Sequence, residues 1–343
     1  MKQHFVVQLI WVKVLLLLIK TERYGQQYMK TAIVFAGQGA QTPGMGKALY
    51  ERYSAARDVY ERAGAIYKKV TGSERSLTDI SFELSADELN LTANSQPAIF
   101  TLSMAGLEVI KSELQALEIS AAAGFSLGEC SALCGAGVLG FEETMELILL
   151  RGAAMGKACE TTDGAMYAII GVGADVCEQV CDELRGEGVL MAVNYNCPGQ
   201  TVIAGDAVLA EKAAARLAEL GAMKTVKLAT QGAFHTPLMN SGRDIFVPKI
   251  EKFIYSSPSI KLWSDVTGEP VDAVTPEYLG IQMTSPVRWQ KIIEGMLADG
   301  IELFIELGPG RVLSGLIRRT SKAAKIVNIE APDGVEKLAN MLA

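Results

Sequence analysis

The chain of 343 residues is 49% hydrophobic and 21% charged, so it is long enough to bury one large core and a smaller one. This composition predicts a globular, soluble protein and excludes a disordered one. The net charge is −7, and because residues 1–28 carry +3, residues 29–343 carry −10, which argues against nucleic acid as a partner.

The first 28 residues differ from the rest of the chain. Residues 5–19, FVVQLIWVKVLLLLI, form an apolar run interrupted by one Gln and one Lys, and this run is short for a membrane span. The polar residues 21–28 contain no small-x-small cleavage site of the kind that follows a signal peptide. We therefore expect Met29 to be the functional start and residues 1–28 to be an extension outside the fold, with a membrane-surface anchor as the alternative.

Short apolar runs alternate with longer helical patterns in the first half of the remaining chain. The sequence predicts a strand over 31–37, helices over 49–70 and 98–117, a strand that ends at Ser126, and a helix over 141–158. This alternation is typical of an α/β fold with a parallel sheet.

The pattern changes between about residues 161 and 230. Segments follow in the order β-α-β-β-α-β: AMYAIIGV, ADVCEQVCDELRGEG, VLMAVNY, QTVIAG, a helix that we expect Asp206 to cap, and MKTVKLA. This order matches the ferredoxin-like split unit. We therefore predict a ferredoxin-like α+β subdomain over 161–230, inserted into a larger α/β domain formed by 29–160 and 231–343.

The segment GFSLG, residues 124–128, has the Gly-x-Ser-x-Gly pattern of a nucleophile elbow between a strand and a helix. Glycines allow the sharp turn that projects the Ser126 hydroxyl, and the helix N-terminus faces developing negative charge. A serine that only caps a helix is the alternative. The chain has two histidines, and because His4 lies in the N-terminal extension, His235 is the candidate general base.

The glycine-rich segment FAGQGAQTPGMGK, residues 35–47, follows the first predicted strand. A phosphate-binding P-loop would need glycine where Gln41 stands and Ser or Thr where Ala48 stands, so a nucleotide site is not expected. The turn can instead bring a backbone N–H beside the elbow. Together with the N–H of Leu127, it would form an oxyanion hole.

Arg151 lies in a helical segment that is apolar nearly all round. Thr144, Ile148 and Met155 share its predicted face, so the guanidinium should be buried and should need a partner. Two partners remain open from the residues alone. One is a structural carboxylate, and the other is the carboxylate of a substrate.

Six cysteines occur in the sequence, and they lack both the density of a disulfide scaffold and the Cys-x-x-Cys spacing of a zinc site. We expect reduced, mostly buried thiols, a cytoplasmic location, no metal and no permanently bound cofactor.

Eight motifs occur in the order seen in the malonyl-CoA:acyl carrier protein transacylase family: FAGQGAQ, SQPAIF, GFSLGE, LLRGAAM, NYNCPGQTVIAG, GAFHT, SPVRW and ELGPGRVLSGL. The chain resembles that family over essentially all of residues 29–343. The resemblance implies an α/β-hydrolase-like core with a parallel sheet and an inserted ferredoxin-like subdomain.

The resemblance also implies a role for each matching residue. Ser126 would be the nucleophile, His235 the base and Arg151 the group that binds the malonyl carboxylate. The main-chain carbonyl of Gln282 would orient His235, so the catalytic unit would be a dyad without a carboxylate. The backbone N–H groups of Gln38 and Leu127 would form the oxyanion hole.

Three further positions bear on the acyl pocket. Asn196 matches a position that lines the site in the family, and Phe234 resembles the bulky residue associated with malonyl rather than methylmalonyl. Phe125 departs from the family, which usually has histidine before the serine. This departure removes a polar group near the acyl pocket, so substrate preference or rate could differ.

The implied reaction moves malonyl from malonyl-CoA to the phosphopantetheine thiol of acyl carrier protein and supplies fatty acid biosynthesis. Carrier proteins are acidic, so a chain with net negative charge needs a local basic patch to bind one. Residues 311–325 supply Arg311, Arg318, Arg319, Lys322 and Lys325 with no acid among them. An ordinary solvated helix face is the alternative.

Other functions remain open from the sequence. The same enzyme could serve a polyketide synthase. A serine thioesterase or esterase could use the same elbow, although it would be expected to carry a triad Asp or Glu between Ser126 and His235. A non-catalytic subunit that binds carrier protein is a third possibility. We expect a monomer with no nucleic-acid or membrane partner.

Overall fold

In the computed structural model of the protein, residues 29–343 are described, and the extension predicted over residues 1–28 lies outside them. The strands of the described part are β1 (Thr31–Phe35), β2 (Ile119–Gly124), β3 (Gly164–Ile170), β4 (Leu190–Cys197), β5 (Gln200–Asp206), β6 (Lys224–Lys227), β7 (Lys261–Trp263), β8 (Pro270–Val271), β9 (Leu303–Leu307) and β10 (Lys325–Ile329).

The helices of the first half are α1 (Lys47–Arg52), α2 (Ser54–Thr71), α3 (Leu77–Phe82), α4 (Ala86–Leu89), α5 (Thr92–Glu113), α6 (Leu127–Gly135), α7 (Phe141–Glu160) and α8 (Ala174–Arg185). Those of the second half are α9 (Ala207–Glu219), a 3₁₀ turn (Pro237–Met239), α10 (Asn240–Ile250), α11 (Pro276–Thr284), α12 (Trp289–Ala298), α13 (Val312–Thr320) and α14 (Pro332–Leu342). Within residues 29–343, none of these helices is long and apolar enough to cross a membrane.

The larger sheet has the strand order β10-β9-β1-β2-β7-β8. Its first five strands are parallel, and β8 pairs antiparallel with β7. Side chains of β1 alternate between two apolar clusters: Ile33 and Phe35 join one, whereas Val34 joins the other with Trp263 and Trp289. Both faces are therefore buried, as parallel sheets require, and the predicted α/β fold with a parallel sheet is confirmed.

A second sheet is formed by β3 to β6, which are antiparallel in the order β4-β5-β3-β6. Helices α8 and α9 pack on it through a separate apolar cluster that includes Ile169, Cys177 and Leu217. The Tyr195 N–H donates to the Val287 carbonyl at 2.9 Å, and the Val287 N–H donates to the Val193 carbonyl at 2.7 Å. These bonds hold β4 against the segment before α12.

Two local predictions were wrong. Helix α5 begins at Thr92, six residues before the predicted start, because Pro97 is accommodated within the helix and the Thr92 N–H is bonded by the Gln231 side chain at 3.0 Å. Asp206 precedes α9, but its side chain does not cap that helix. Its carboxylate instead accepts the Val189 N–H at 2.7 Å, which joins β5 to the start of β4.

The order of the strands determines where the site lies. Strands β1 and β2 are adjacent and parallel, with Phe35 opposite Gly124, so the segments that follow them leave the sheet at the same edge. In open α/β sheets, ligands bind outside the carboxyl ends of the strands. The loop containing Gln38 and the turn containing Ser126 therefore meet.

Candidate active site

Ser126 lies at the tip of the turn between β2 and α6, with φ 54° and ψ −101°. In the described part of the chain, Ser126 and His235 are the two non-glycine residues with positive φ. A Cβ on Gly124 would lie 1.9 Å from the carbonyl of Gly128, so this turn requires glycine. The Ser126 side chain makes no capping bond to α6, so the helix-cap alternative is not observed.

His235 is buried and its Nε2 lies 2.7 Å from the Ser126 hydroxyl oxygen. Its Nδ1 lies 3.0 Å from two main-chain carbonyl oxygens, those of Gln282 and Ser285. Because a carbonyl can only accept, Nδ1 carries the proton and Nε2 is free to accept the proton of the serine hydroxyl. The Gln282 carbonyl contact agrees with the predicted dyad, and Ser285 was not anticipated.

The charge state of His235 follows from its surroundings. Burial, followed by the nearby positive charge of Arg151, lowers the pKa of His235 to about 4, and the two carbonyl contacts oppose this shift only in part. The imidazole is therefore neutral at physiological pH. A neutral imidazole is the form that can act as a general base.

Arg151, on α7, is 1% exposed. Its Nη2 donates to the Gln282 side-chain oxygen at 3.2 Å and to the Ser126 hydroxyl at 3.4 Å. Its Nε has no acceptor, and no ion pair links it to a carboxylate within residues 29–343. The structural ion pair is thus absent there, and the guanidinium has donors available for an anion.

A cavity of about 410 Å³ opens in front of Ser126, a size typical of ligand pockets. Its walls come from both sheets. They include Gln38, Arg151 and Met155 on the side of the parallel sheet, and Met166, Asn194 and Asn196 on the side of the antiparallel sheet. Phe125, Phe234 and His235 complete the part around the serine.

The two N–H groups assigned to the oxyanion hole are free in the described part of the chain. Leu127 is the first residue of α6, where an N–H has no intrahelical acceptor, and Gln38 lies in the loop after β1. Neither N–H donates to another residue there. The Gln38 side chain is anchored by bonds to Thr92 at 3.2 Å and Gln96 at 3.3 Å.

Gln282 contributes more than the predicted carbonyl. Its side-chain nitrogen donates to the Ser126 carbonyl at 2.8 Å, while its side-chain oxygen accepts from Arg151. Together with the main-chain bond to His235, these contacts connect the three central residues. Spacing in the sequence could not reveal the side-chain contacts, because Gln282 lies 156 residues beyond Ser126.

Two buried acids near the elbow were not anticipated. Glu129 and Asp265 are each 1% exposed, and the Ser126 N–H donates to the Asp265 carboxylate at 2.7 Å. Burial raises the pKa of Glu129 to about 7, and burial together with the nearby Glu129 raises the pKa of Asp265 well above its usual range. The available signal was Glu129 within GFSLGE; Asp265 lies two residues after β7, in a segment that carried no prediction.

Phe125 packs its ring edge-to-face on Trp289, with the ring centroids 5.6 Å apart, and it lines the cavity. This contact places an apolar ring directly before Ser126. Phe234 is also buried against the cavity. Phe125 and Phe234 therefore add apolar surface to a cavity whose polar lining includes His235 and Arg151.

Of the predicted basic patch, Arg319 reaches the rim of the cavity, whereas Arg311 and Arg318 line a separate small pocket beside α14. Val312, Leu313 and Leu316 on α13 line the cavity, and Arg319 at the end of that helix donates to Gln200 on the rim at 2.7 Å. The patch residues Arg311, Arg318, Arg319, Lys322 and Lys325 are all exposed. Lys322 lies beyond the end of α13, and Lys325 is the first residue of β10.

An elbow serine bonded to a neutral histidine is the arrangement used by serine hydrolases and acyltransferases. Residues 32–335 match the family described as the acyl transferase domain. The chain belongs to this family.

Relatives within the family are similar along most of the chain. The malonyl CoA-acyl carrier protein transacylase of Bacillus subtilis (strain 168) is 37% identical over 310 residues, which cover 90% of this chain and 95% of the relative. The crystal structure of malonyl-CoA:acyl carrier protein transacylase from Xanthomonas oryzae pv. oryzae superposes with a TM-score of 0.85 at 32% identity and covers 91% of this chain and 98% of that one.

A third similar structure holds a type II PKS acyl-carrier protein in complex with its malonyl-transacylase. It has a TM-score of 0.84 and 31% identity, and it covers 91% of this chain and 99% of that one.

Proposed function

We propose that the protein moves malonyl from malonyl-CoA to the phosphopantetheine thiol of acyl carrier protein, through a malonyl-Ser126 intermediate, and so supplies fatty acid biosynthesis. The buried Arg151 carries this proposal, because its Nη2 lies 3.4 Å from the Ser126 hydroxyl and its Nε has no hydrogen-bond partner within residues 29–343. A guanidinium binds a carboxylate through two parallel hydrogen bonds. Malonyl has that carboxylate and acetyl lacks it. The similar proteins of Bacillus subtilis and Xanthomonas oryzae are malonyl-CoA:acyl carrier protein transacylases, which supports the same pair of substrates.

In the first half-reaction, His235 Nε2 accepts the Ser126 proton while Oγ attacks the thioester carbonyl of malonyl-CoA. The N–H groups of Gln38 and Leu127 stabilise the resulting oxyanion. The carbon–sulfur bond then breaks, His235 returns the proton to sulfur, and CoA leaves as the thiol. Malonyl remains on Ser126 as an ester, with its carboxylate bound by Arg151.

In the second half-reaction, the phosphopantetheine thiol gives its proton to His235 and its sulfur attacks the malonyl-Ser126 ester. The bond between the carbonyl carbon and Oγ breaks, and Oγ takes the proton back. No metal and no permanently bound cofactor takes part in this proposal. Asn196 and Phe234 contact the substrate from the cavity wall, and Phe234 favours malonyl over the larger methylmalonyl.

The test of this function is the release of CoA from malonyl-CoA with and without holo acyl carrier protein. The proposal requires release to stop after about one equivalent per enzyme unless the carrier protein is added. Continuous release without carrier protein, with no malonyl-carrier product when it is present, would instead indicate a thioesterase.

The two sheets support a division of the chain into a catalytic domain and an inserted subdomain. We propose that residues 29–160 and 231–343 form an α/β-hydrolase-like catalytic domain and that residues 161–230 form an inserted ferredoxin-like subdomain. The antiparallel sheet order β4-β5-β3-β6, with two helices on one face, supports the second part. Asn196 on β4 then brings the subdomain to the cavity.

The pH dependence of acylation follows from the pKa of His235. Because this pKa is lowered to about 4, the base stays neutral as the pH falls below 6.5, where an ordinary histidine would be half protonated. We expect the single-turnover rate of Ser126 acylation to change less than about twofold between pH 8 and pH 5.5. Rapid-quench measurements of the acylation rate across this pH range test the prediction. An acylation rate that falls to half its maximum near pH 6.5 would contradict the lowered pKa.

We propose that the exposed basic residues of segment 311–325, of which Arg319 reaches the cavity rim, bind the acidic carrier protein. The double substitution Arg318→Glu and Arg319→Glu should then raise the KM for holo carrier protein about tenfold or more at low salt, because like charges repel across the docking surface. Acylation by malonyl-CoA alone should change little. The measurement is the transfer rate against carrier-protein concentration at two salt concentrations.

A matched control for charge is Lys69→Glu with Lys249→Glu. These residues lie on α2 and α10, which contribute no residue to the cavity. The control has the same net charge as the patch variant, so an equal effect of both would reject the patch.

Two alternatives concern the pathway that the enzyme serves and the type of reaction that it catalyses. The similar structure that holds a type II PKS acyl-carrier protein keeps open a polyketide synthase as the pathway served. A triad esterase is disfavoured because His235 Nδ1 contacts carbonyls and no carboxylate within residues 29–343. We propose a cytoplasmic monomer that binds neither nucleic acid nor membrane.

A further inference from the structure

The backbone of the nucleophile is held from both sides. Asp265 Oδ2 accepts the Ser126 N–H at 2.7 Å, and the Gln282 side-chain nitrogen donates to the Ser126 carbonyl at 2.8 Å. The same Gln282 nitrogen lies 3.3 Å from Asp265 Oδ2. A serine at φ 54° needs such support, because L-residues rarely adopt this conformation unless the surrounding structure enforces it.

Asp265 is itself fixed by Glu129. The Asp265 N–H donates to Glu129 Oε1 at 3.2 Å, and the Tyr278 hydroxyl contacts both Glu129 Oε1 and the Ser264 hydroxyl. Glu129 lies in the first turn of α6, the helix that begins directly after the nucleophile. The contacts therefore form a closed path from Ser126 through Asp265 and Glu129 back to the same helix.

We propose that Asp265, supported by Glu129, is a positioning residue that holds the Ser126 hydroxyl against His235. Neither acid lines the cavity, so neither touches the substrate. Asp265 accepts the backbone N–H of Ser126 and so fixes the backbone of the nucleophile. This keeps the Ser126 hydroxyl oxygen 2.7 Å from His235 Nε2. This inference rests on the proposed function and deepens it, but the labelling measurement in its test needs no acyl donor.

The role requires an acceptor atom rather than a negative charge. Both carboxyls are buried, and their second oxygens, Asp265 Oδ1 and Glu129 Oε2, have no partner within residues 29–343. Burial raises the pKa of both carboxyls, which disfavours the charged form, so the acceptor atom rather than the charge is the property that both forms share. An asparagine at 265 keeps the accepting oxygen and the size of the side chain, whereas an alanine removes the acceptor.

The test is the rate at which a fluorophosphonate labels Ser126. In this reaction the Ser126 oxygen bonds to phosphorus, the phosphorus–fluorine bond breaks, and the serine proton goes to His235. We expect Asp265→Ala to lower the labelling rate and the kcat of transfer by about 10²-fold, because small misplacements of a reacting group cost that much. The KM for malonyl-CoA should change less than about twofold, and Asp265→Asn should restore both rates to within about fivefold of the unsubstituted chain.

The matched control is Asp206→Ala. Asp206 also accepts a backbone N–H at 2.7 Å, that of Val189, but it lies away from the cavity. Its replacement should leave labelling and kcat unchanged even if it lowers the melting temperature. Rates are divided by the fraction of folded protein, measured by circular dichroism, so that loss of fold is not counted as loss of positioning.

Three results would overturn the inference. One is an equal loss in Asp265→Asn and Asp265→Ala, which would show that charge matters rather than the acceptor. Another is a normal labelling rate per folded molecule in Asp265→Ala. If Asp265→Ala does not fold, the Glu129→Gln variant provides the test, because glutamine keeps an oxygen that accepts the Asp265 N–H. Its labelling rate should lie within about fivefold of that of the unsubstituted chain. A labelling rate lowered more than about tenfold would contradict the proposal. Failure of the transfer assay with normal labelling would reject the proposed function alone.

Discussion

The Ser126→Ala variant is expected to lose malonyl transfer by at least about 10⁴-fold, since removal of a nucleophile that acts with its base removes the covalent route entirely. The Ser126 hydroxyl oxygen lies 2.7 Å from His235 Nε2. Alanine removes this hydroxyl, so His235 has no proton to accept. Substrate binding should persist because the Arg151 side chain and the cavity walls remain. The measurement is the rate of malonyl-carrier formation, together with binding of malonyl-CoA by calorimetry.

The matched control for this variant is Ser131→Ala on the same helix. Ser131 is fully buried, and its hydroxyl has no hydrogen-bond partner in the described part of the chain. The control should retain transfer within about threefold, because it removes no bond at the site. Comparable losses in the two variants would mean that the Ser126 effect arises from packing of α6 rather than from chemistry.

Replacement of Arg151 by alanine is expected to change which acyl group is transferred. Malonyl transfer should fall by about 10²-fold or more in kcat/KM, because the malonyl carboxylate would enter a buried site with no cation to bind it. Acetyl transfer should survive or rise, since acetyl has no carboxylate to satisfy. The assay compares malonyl-CoA with acetyl-CoA as donors at the same carrier-protein concentration.

Lys157→Ala serves as the control for Arg151→Ala. Lys157 is a cation on the same helix, but it is exposed and does not line the cavity. Its loss should leave both donors unaffected. Equal losses of malonyl and acetyl transfer in Arg151→Ala would remove the carboxylate-binding role from the mechanism and leave Arg151 as a structural residue.

The parts of this site that sequence predicts are those whose chemistry is local. The GFSLG segment requires glycines because the strand and the helix touch at Gly124 and Gly128, so the turn can be recognised from five residues. Arg151 could be predicted as a site residue because a cation on an apolar helix face needs a partner. His235 was visible because the chain has only one histidine outside residues 1–28.

The parts that sequence does not predict depend on tertiary packing. The side chains of Asp265 and Gln282 reach the Ser126 backbone across 139 and 156 residues, and spacing along the chain does not indicate these side-chain contacts. The early start of α5 has a similar cause, since Gln231 supplies the bond that the Thr92 N–H needs. Asp206 illustrates the opposite error: its position before a helix suggests a cap, but the neighbouring strand uses its carboxylate.

The central claim is that Ser126 carries malonyl between two thiols, and intact-protein and peptide mass spectrometry tests it most directly. The protein is mixed briefly with malonyl-CoA and then with holo acyl carrier protein. The account predicts a malonyl adduct on the Ser126 peptide that disappears as malonyl-carrier protein forms. No adduct, or an adduct that water removes while the carrier protein stays unmodified, would contradict it.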